Sequence, residues 1–338
     1  MPRLPLLALL LGLSLRAADP SAEPPRKVGI VGLDTSHAVA FTQTLNRGPK
    51  VAADAPKFAG FRVVAAYAPG SPDIASSVAR VPEYTAKVRA LGVEIVPSIA
   101  ELCTKVDCVL LESNDGRVHL EQLRAILKAR KPVFVDKPLA ASLPDVLRMQ
   151  AEARAAGVPM FCSSSLRFGA GTRAVQGGSL GPVRAASTFS PAHLEPTHPD
   201  LYWYGVHGCE SLYAVMGVGC RTVRRGLTAD GKIEVVGDWG DGRQGVFQEE
   251  NGKTRKGYGG MARGPKGEAA VGTYDGYDPL LAEVVAFFRT GKAPVSDEET
   301  LELYTFMSAA DESKRQNGAE VRLADVLDRA CAEVARAK

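Results

Sequence analysis

The chain of 338 residues lacks several signatures that would settle its class at once. Its six cysteines (Cys103, Cys108, Cys162, Cys209, Cys220 and Cys331) include no CxxC pair, so no zinc signature is present. A net charge of +3, with no basic run interleaved with aromatics, makes nucleic acid an unexpected partner. No apolar run beyond the first 18 residues approaches the ~20 residues that span a bilayer, so no membrane partner is expected once that segment is removed. No internal repeat is visible. A complete G-x-G-x-x-G fingerprint is also missing.

What is present begins with residues 1–18. Arg3 precedes a nearly unbroken apolar run from Leu4 to Leu15, followed by Arg16-Ala17-Ala18-Asp19. This reads as a secretory signal peptide, with residues 19–26 a Pro-rich linker. The expected location is therefore periplasmic or secreted, with a cytoplasmic protein as the alternative if the segment is not a leader. There is no twin arginine, so export would be of the unfolded chain. In an exported chain Cys103–Cys108 or Cys209–Cys220 could pair; otherwise the cysteines act as small buried hydrophobes.

From Lys27 the pattern is strand, turn, helix. The apolar run Val28–Val31 leads to Gly32, the polar turn Asp34-Thr35-Ser36-His37, and Ala38, Phe41 and Leu45 at helical spacing. Further short strands follow at 61–67, 93–96, 107–111 and 133–135. Helices alternate with them, the first over 72–91 with a break near Pro82. Ser142 caps a helix that Gly157 ends. This alternation predicts an α/β, Rossmann-like doubly wound parallel sheet over residues 27–158. Met160–Ser163 reads as one more strand. Residues 159–338 predict an α+β domain with a large, mostly antiparallel sheet. Within it, 251–278 is Gly-rich with hairpins or a mobile loop, Leu280–Phe288 is an amphipathic helix, and Ser296 with Glu299 caps a long helix that Asn317-Gly318 ends.

The first βα turn of such a sheet is where a dinucleotide pyrophosphate sits on helix N-terminal amides. Counting from Gly32, Asp34 and His37 occupy the other two glycine positions. A carboxylate about 5 Å from a phosphate costs roughly 3 kcal/mol at an effective dielectric of about 20; the cost falls if Asp34 points away, or if Asp34, Thr35 or Ser36 merely caps the helix. The second strand runs into Ala68-Pro69-Gly70-Ser71 with no ribose-binding acid, which leaves NAD and NADP both open, with Ser71 a candidate for a 2′-phosphate. Whether any dinucleotide is held is itself in question.

Four landmarks occur in order: Gly29-Ile30-Val31-Gly32; the strand ending Glu112-Ser113-Asn114 with His119 after it; Asp136-Lys137-Pro138; and Gly205-Val206-His207 followed by Glu210. Together with Leu280–Leu323 they resemble the glucose–fructose oxidoreductase and inositol dehydrogenase family (Gfo/Idh/MocA) over nearly the whole mature chain. The resemblance implies a Rossmann domain, a sheet domain, a nicotinamide dinucleotide and a sugar, polyol or related substrate. It also implies oligomers built through the open face of the second sheet. The family usually has Glu where Asp136 stands, and its lysine, here Lys137, lies beside the nicotinamide, often before a cis proline.

By this resemblance Lys137 donates a hydrogen bond to the reacting oxygen, and His207 is a proton-transfer partner. Glu210, three residues on and on the same helical face, is placed to orient its ring. The family's Asp four residues before this histidine is Trp203 here, with Asp200 the nearest acid, so the usual Lys–Asp–His relay is incomplete and Tyr204 becomes a substitute acid. Arg167 stands where the family often faces substrate with an arginine, or else forms an interdomain salt bridge. Gly32, Asp34, Thr35, Ser36, His37, Ser71, Ser113, Asn114, His119, Asp136 and Pro138 form the expected cofactor set, His119 more as a loop brace. The set His193, His198, Asp200, His207 and Glu210 matches no zinc spacing, and no metal is expected. The leading expectation is an exported NAD(P) oxidoreductase of carbohydrate-like substrates. Two others stay open: a lyase or glycosidase using transient oxidation, and a carbohydrate binder of the same fold that has lost redox function.

Overall fold

A computed structural model describes residues 24–337; the leader and most of the linker lie outside the described residues. The first unit runs β1 (Arg26–Val31), α1 (Ser36–Arg47), α2 (Ala55–Phe58), β2 (Phe61–Tyr67), α3 (Ala75–Ala90), β3 (Glu94–Ile95), α4 (Ile99–Lys105), β4 (Cys108–Leu111), α5 (His119–Lys128), β5 (Val133–Val135), α6 (Leu143–Ala156) and β6 (Met160–Cys162). All six strands are parallel, in the order β3-β2-β1-β4-β5-β6. That is the doubly wound order, with its ligand crevice at the strands' C-terminal ends between β1 and β4. Every residue of β4, β5 and β6 is buried, because helices cover both faces of the sheet.

Two details shape the crevice. A Cβ on Gly29 would sit 2.5 Å from Leu102 Cδ2, so glycine lets α4 lie against β1. Gly32 has φ +87°, and a Cβ there would meet the Ser113 backbone nitrogen at 2.5 Å. Gly32 thus brings the turns after β1 and β4 into contact. A methyl group is excluded twice, by φ and by space, so Gly32→Ala is expected to cost about 1–3 kcal/mol. An unchanged denaturant midpoint would contradict this.

The helix expected over 72–91 forms as α3, but Pro82 lies inside it without breaking it. The caps behave as expected. Ser142 Oγ accepts from Asp145 N and Ser296 Oγ from Glu299 N, while Gly157 (φ +63°) ends α6.

The second unit comprises α7 (Ala170–Gln176), β7 (Ala185–Ser190), α8 (Val206–Met216), β8 (Thr222–Leu227), β9 (Ile233–Asp238), β10 (Gln244–Glu249), β11 (Gly259–Gly264), β12 (Gly267–Ala270), α9 (Asp278–Thr290), α10 (Asp297–Arg315), β13 (Val321–Arg322) and α11 (Leu323–Arg336). Its sheet has the order β12-β11-β7-β10-β9-β8-β13. It is antiparallel except for the β7–β10 pair. The Gly-rich stretch contains the β11–β12 hairpin. Every residue of α8 is buried. The chain then returns to the first unit: Leu280, Leu281, Val284 and Phe287 of α9 share a core with Phe41, Phe134 and Phe161. Cys103, Cys108, Cys162, Cys209 and Cys220 are buried free thiols, so neither pairing open to the sequence forms.

Candidate active site

The crevice holds a cavity of about 170 Å³ lined from both units. The first unit contributes Thr35, Ser36, His37, Arg80, Asn114, Asp136, Lys137 and Pro138. The second contributes Ser165, Leu166, Trp203, Tyr204, His207, Tyr258, Tyr274 and Tyr277. Half-buried Lys137 is the second residue after β5, and its bond to Pro138 is cis. Its backbone N–H donates to Asp136 Oδ1 at 2.7 Å.

Asp34 is fully buried and turned away from the crevice. Its Oδ1 accepts from Asn114 N (2.9 Å) and its Oδ2 from Ser77 Oγ (2.6 Å). Burial raises its pKa, against the lowering pull of these bonds. The repulsion toward a phosphate is correspondingly relieved. Neither Asp34 nor Ser36 caps α1, and Thr35, its N-cap residue, makes no side-chain cap bond. Thr35 Oγ1 donates instead to Glu112 Oε2 (3.2 Å). The first amides of α1 are therefore not taken up by a cap, as an anion site requires.

Three expected cofactor residues are committed elsewhere. Ser71 Oγ donates to Asp115 and its amide to Ser77 Oγ, so it faces inward and offers nothing to a 2′-phosphate. Ser113 Oγ donates to Gln122. His119 is fully buried, its ring nitrogens facing Ser113 O (2.7 Å) and Leu139 O (3.0 Å). It braces the turns after β4 and β5, away from the cavity.

The loops after β2 and β4 are also latched together. Arg117 bridges Asp73 (2.7 Å) and Asp115 (2.8 Å), and Gly116 N–H donates to His198 Nε2 (3.0 Å). The cavity lies below the ~300–1,000 Å³ of drug-sized sites. Its size is that of a monosaccharide or of the nicotinamide end of a dinucleotide, and a whole dinucleotide would extend beyond it. The residues fit such a cofactor at two places. Ser36 and His37 would hold the pyrophosphate on their amides, and Asn114, Lys137 and Pro138 would flank the nicotinamide end.

On the opposite wall, a π-type turn (Leu201–Gly205) leads into α8 and carries Trp203 and Tyr204 into the cavity, a backbone irregularity common at functional sites. The Tyr204 and His207 rings lie 5.9 Å apart. His207 Nδ1 pairs with Ser164 Oγ at 2.7 Å. Burial, then the nearby Lys137 and His37, push its pKa well below the ordinary value. Protonating His207 thus needs a pH below 6.5. We expect no acid limb near pH 6.5 in kcat/KM, and a limb there would contradict a neutral His207.

Glu210 does not orient His207 directly. Its carboxylate accepts from Ser163 Oγ, Ser164 N (2.8 Å) and Arg167 Nε (2.9 Å). It fixes the 163–164 segment, and Ser164 in turn meets the histidine. Arg167 is buried between Glu210 and Glu299, and it does not face the cavity. Asp200 pairs with Arg225 and Lys314. Of the five residues weighed as a metal set, His198 accepts from Gly116, Asp200 pairs with two cations, and His207 and Glu210 meet only through Ser164.

The sequence reading missed Arg80 and the aromatic wall of Tyr258, Tyr274 and Tyr277. Tyr277 packs edge-on to His37 (4.5 Å) and its hydroxyl bonds Ser36 Oγ (2.8 Å). Burial raises the Tyr258 hydroxyl to about 12. The only available signal was three tyrosines in an otherwise Gly-rich stretch.

Beneath Lys137, His37 Nδ1 lies 3.0 Å from Asp136 Oδ1 and 3.8 Å from Glu112 Oε2, all buried. Burial, then Asp136, raises Glu112 well above the carboxylate range. Burial acts upward on Asp136 too, but His37 and Lys137 outweigh it and hold that carboxyl low. The two neighbouring acids are thus pushed in opposite directions.

Comparison with known proteins bears on this geometry. Residues 26–163 match the model of an oxidoreductase family with an NAD-binding Rossmann fold, GFO_IDH_MocA. Over 107 residues the chain is 36% identical to 1,5-anhydro-D-fructose reductase of Ensifer adhaerens, covering 30% of this chain and 32% of that one. It is 35% identical to myo-inositol 2-dehydrogenase of Thermotoga maritima, covering 30% and 31%. The chain thus spans about a third of the length of these curated relatives. Scyllo-inositol dehydrogenase of Lactobacillus casei, solved with NAD(H) and scyllo-inositol, shares the fold at a TM-score of 0.68 and 15% identity, covering 89% of this chain and 99% of that one.

Proposed function

We propose, for a chain that belongs to the Gfo/Idh/MocA oxidoreductase family through residues 26–163, that it oxidises or reduces a hydroxyl or keto carbon of a sugar, polyol or derivative. A nicotinamide dinucleotide, when bound, supplies or accepts the hydride. The observation that carries this reading is Lys137. It sits at the C-terminal end of β5, in a cavity that also meets the uncapped first turn of α1 and the Tyr204–His207 pair. Lys137 donates a hydrogen bond to the reacting oxygen and stabilises the charge that develops there. Tyr204 or His207, each within the same wall, takes or returns the hydroxyl proton, standing in for the acid that Trp203 replaces. Glu210 and Ser164 hold His207 in place. The tyrosine wall excludes water and offers ring faces with hydroxyl tips.

The test is turnover of the full chain with NAD(H) and NADP(H) against a panel of sugars and polyols, read as reduced-dinucleotide absorbance. No turnover with any pair would sink the assignment. We extend the reading to an exported protein on the strength of residues 1–18. A mature N-terminus before residue 19 in the cytosolic fraction would remove that part. Assembly through the second sheet is a further element of the proposal, checked by light scattering.

A further inference from the structure

His37, Glu112 and Asp136 are far apart in sequence and meet at the C-terminal ends of β1, β4 and β5. These three strands are adjacent in the sheet, and their ends are where open α/β sheets place ligands. One ligating atom from each residue lies within 4.8 Å of the other two, and all three side chains are buried. His37 Nδ1, Glu112 Oε1 and Asp136 Oδ2 are buried without any hydrogen-bond partner. Each such atom costs about 1–3 kcal/mol, and here three share one spot.

His37 Nδ1 faces Asp136 Oδ1 at 3.0 Å as a close ionic contact. The ring nitrogen lies 3.0 and 3.8 Å from the anchored oxygens of the two carboxylates, and one atom from each residue falls within 4.8 Å of the others, so small side-chain rotations bring them to the ~3.4 Å between ligand atoms of a tetrahedral ion with bonds near 2.1 Å. We propose that His37, Glu112 and Asp136 bind a divalent first-row transition cation, Zn²⁺ or Mn²⁺, at the floor of the cavity.

The surroundings are those of a metal site. Each carboxylate has one oxygen anchored from outside, Glu112 Oε2 by Thr35 Oγ1 and Asp136 Oδ1 by the Lys137 amide, as ligating carboxylates commonly are. The His37 ring is fixed by stacking on Phe41 (5.1 Å) and by the edge contact with Tyr277. An imidazole with two carboxylates suits zinc or manganese better than calcium or magnesium, which favour all-oxygen shells. Three protein ligands leave a fourth position. His37 and Asp136 both line the cavity, so that position opens toward it, where a substrate hydroxyl or carbonyl oxygen can complete the shell. The adjacent Lys137 ammonium opposes the cation and limits its affinity. None of this depends on a dinucleotide: a chain that binds the cation but no dinucleotide would keep this site and lose the oxidoreductase reading.

The test is calorimetric titration of Zn²⁺, and separately Mn²⁺, into the chelator-treated full chain. The expected result is one equivalent bound per chain by at least one of the two, with a raised thermal midpoint. Glu112→Gln keeps the shape but weakens ligation, and should lower affinity at least 10-fold; His37→Gln, changed on a different strand's helix, should do the same. No saturable binding of either ion to the wild-type chain would overturn the proposal. So would one-equivalent binding of unchanged affinity in whichever of the two variants keeps the wild-type circular dichroism.

Discussion

Lys137→Ala should lower turnover by about 10²–10⁴-fold, the usual contribution of a positioned proton donor, while dinucleotide affinity changes little. Lys137 lines the cavity, and its charge also helps hold the buried Asp136 carboxyl low. What it supplies is a donor at the reacting oxygen, and that donor acts in the transition state more than in binding. The loss should therefore fall on kcat. A KM effect alone would mean that Lys137 merely binds substrate, and unchanged turnover would remove it from the mechanism. Tyr204→Phe and His207→Asn in the same assay then separate the two candidates for the hydroxyl proton, since only the residue that moves it should show a comparable loss.

Arg167→Met should cost about 3–5 kcal/mol of stability, because it leaves Glu210 buried with its cationic partner gone. The arginine is 3% exposed and joins Glu210 (2.9 Å) to Glu299 (2.5 Å). It therefore ties the turn after β6 to α8 and α10. A urea midpoint shows the effect directly. The readout that separates this from a substrate-facing arginine is KM under conditions where the variant is folded: a structural tie leaves it nearly unchanged. A stable variant with KM raised tenfold or more would restore the substrate role that the sequence allowed.

These two residues show where sequence carried the argument and where it stopped. The parallel strands, the caps at Ser142 and Ser296, and the C-terminal position of Lys137 were legible, because each depends on a local pattern: an apolar run, a side chain three residues from an amide, a strand followed by a turn. The disposition of Asp34 was not. It is decided by Ser77 and Asn114, 43 and 80 positions away, and those contacts turn an apparent obstacle to phosphate into a buried brace. Glu210 was placed on the right helical face but assigned the wrong partner. Helical spacing brings it near His207, and it cannot reveal that Ser164 and Arg167, more than forty residues earlier, claim the carboxylate. The tyrosine wall was hidden in the same way, since its composition looked like loop and its position comes from the turns flanking β11 and β12.

The dinucleotide cleft remains the centre of the account. Gly32, the uncapped start of α1 and the averted Asp34 leave room for a pyrophosphate, while Arg117 latches the loops after β2 and β4 across the cleft. Titration of NAD⁺, NADH, NADP⁺ and NADPH into the purified full chain, followed by calorimetry or by fluorescence of the reduced forms, tests this most directly. The expected result is saturable binding of at least one of the four. Binding of none would contradict it and leave a carbohydrate-binding protein on an oxidoreductase fold.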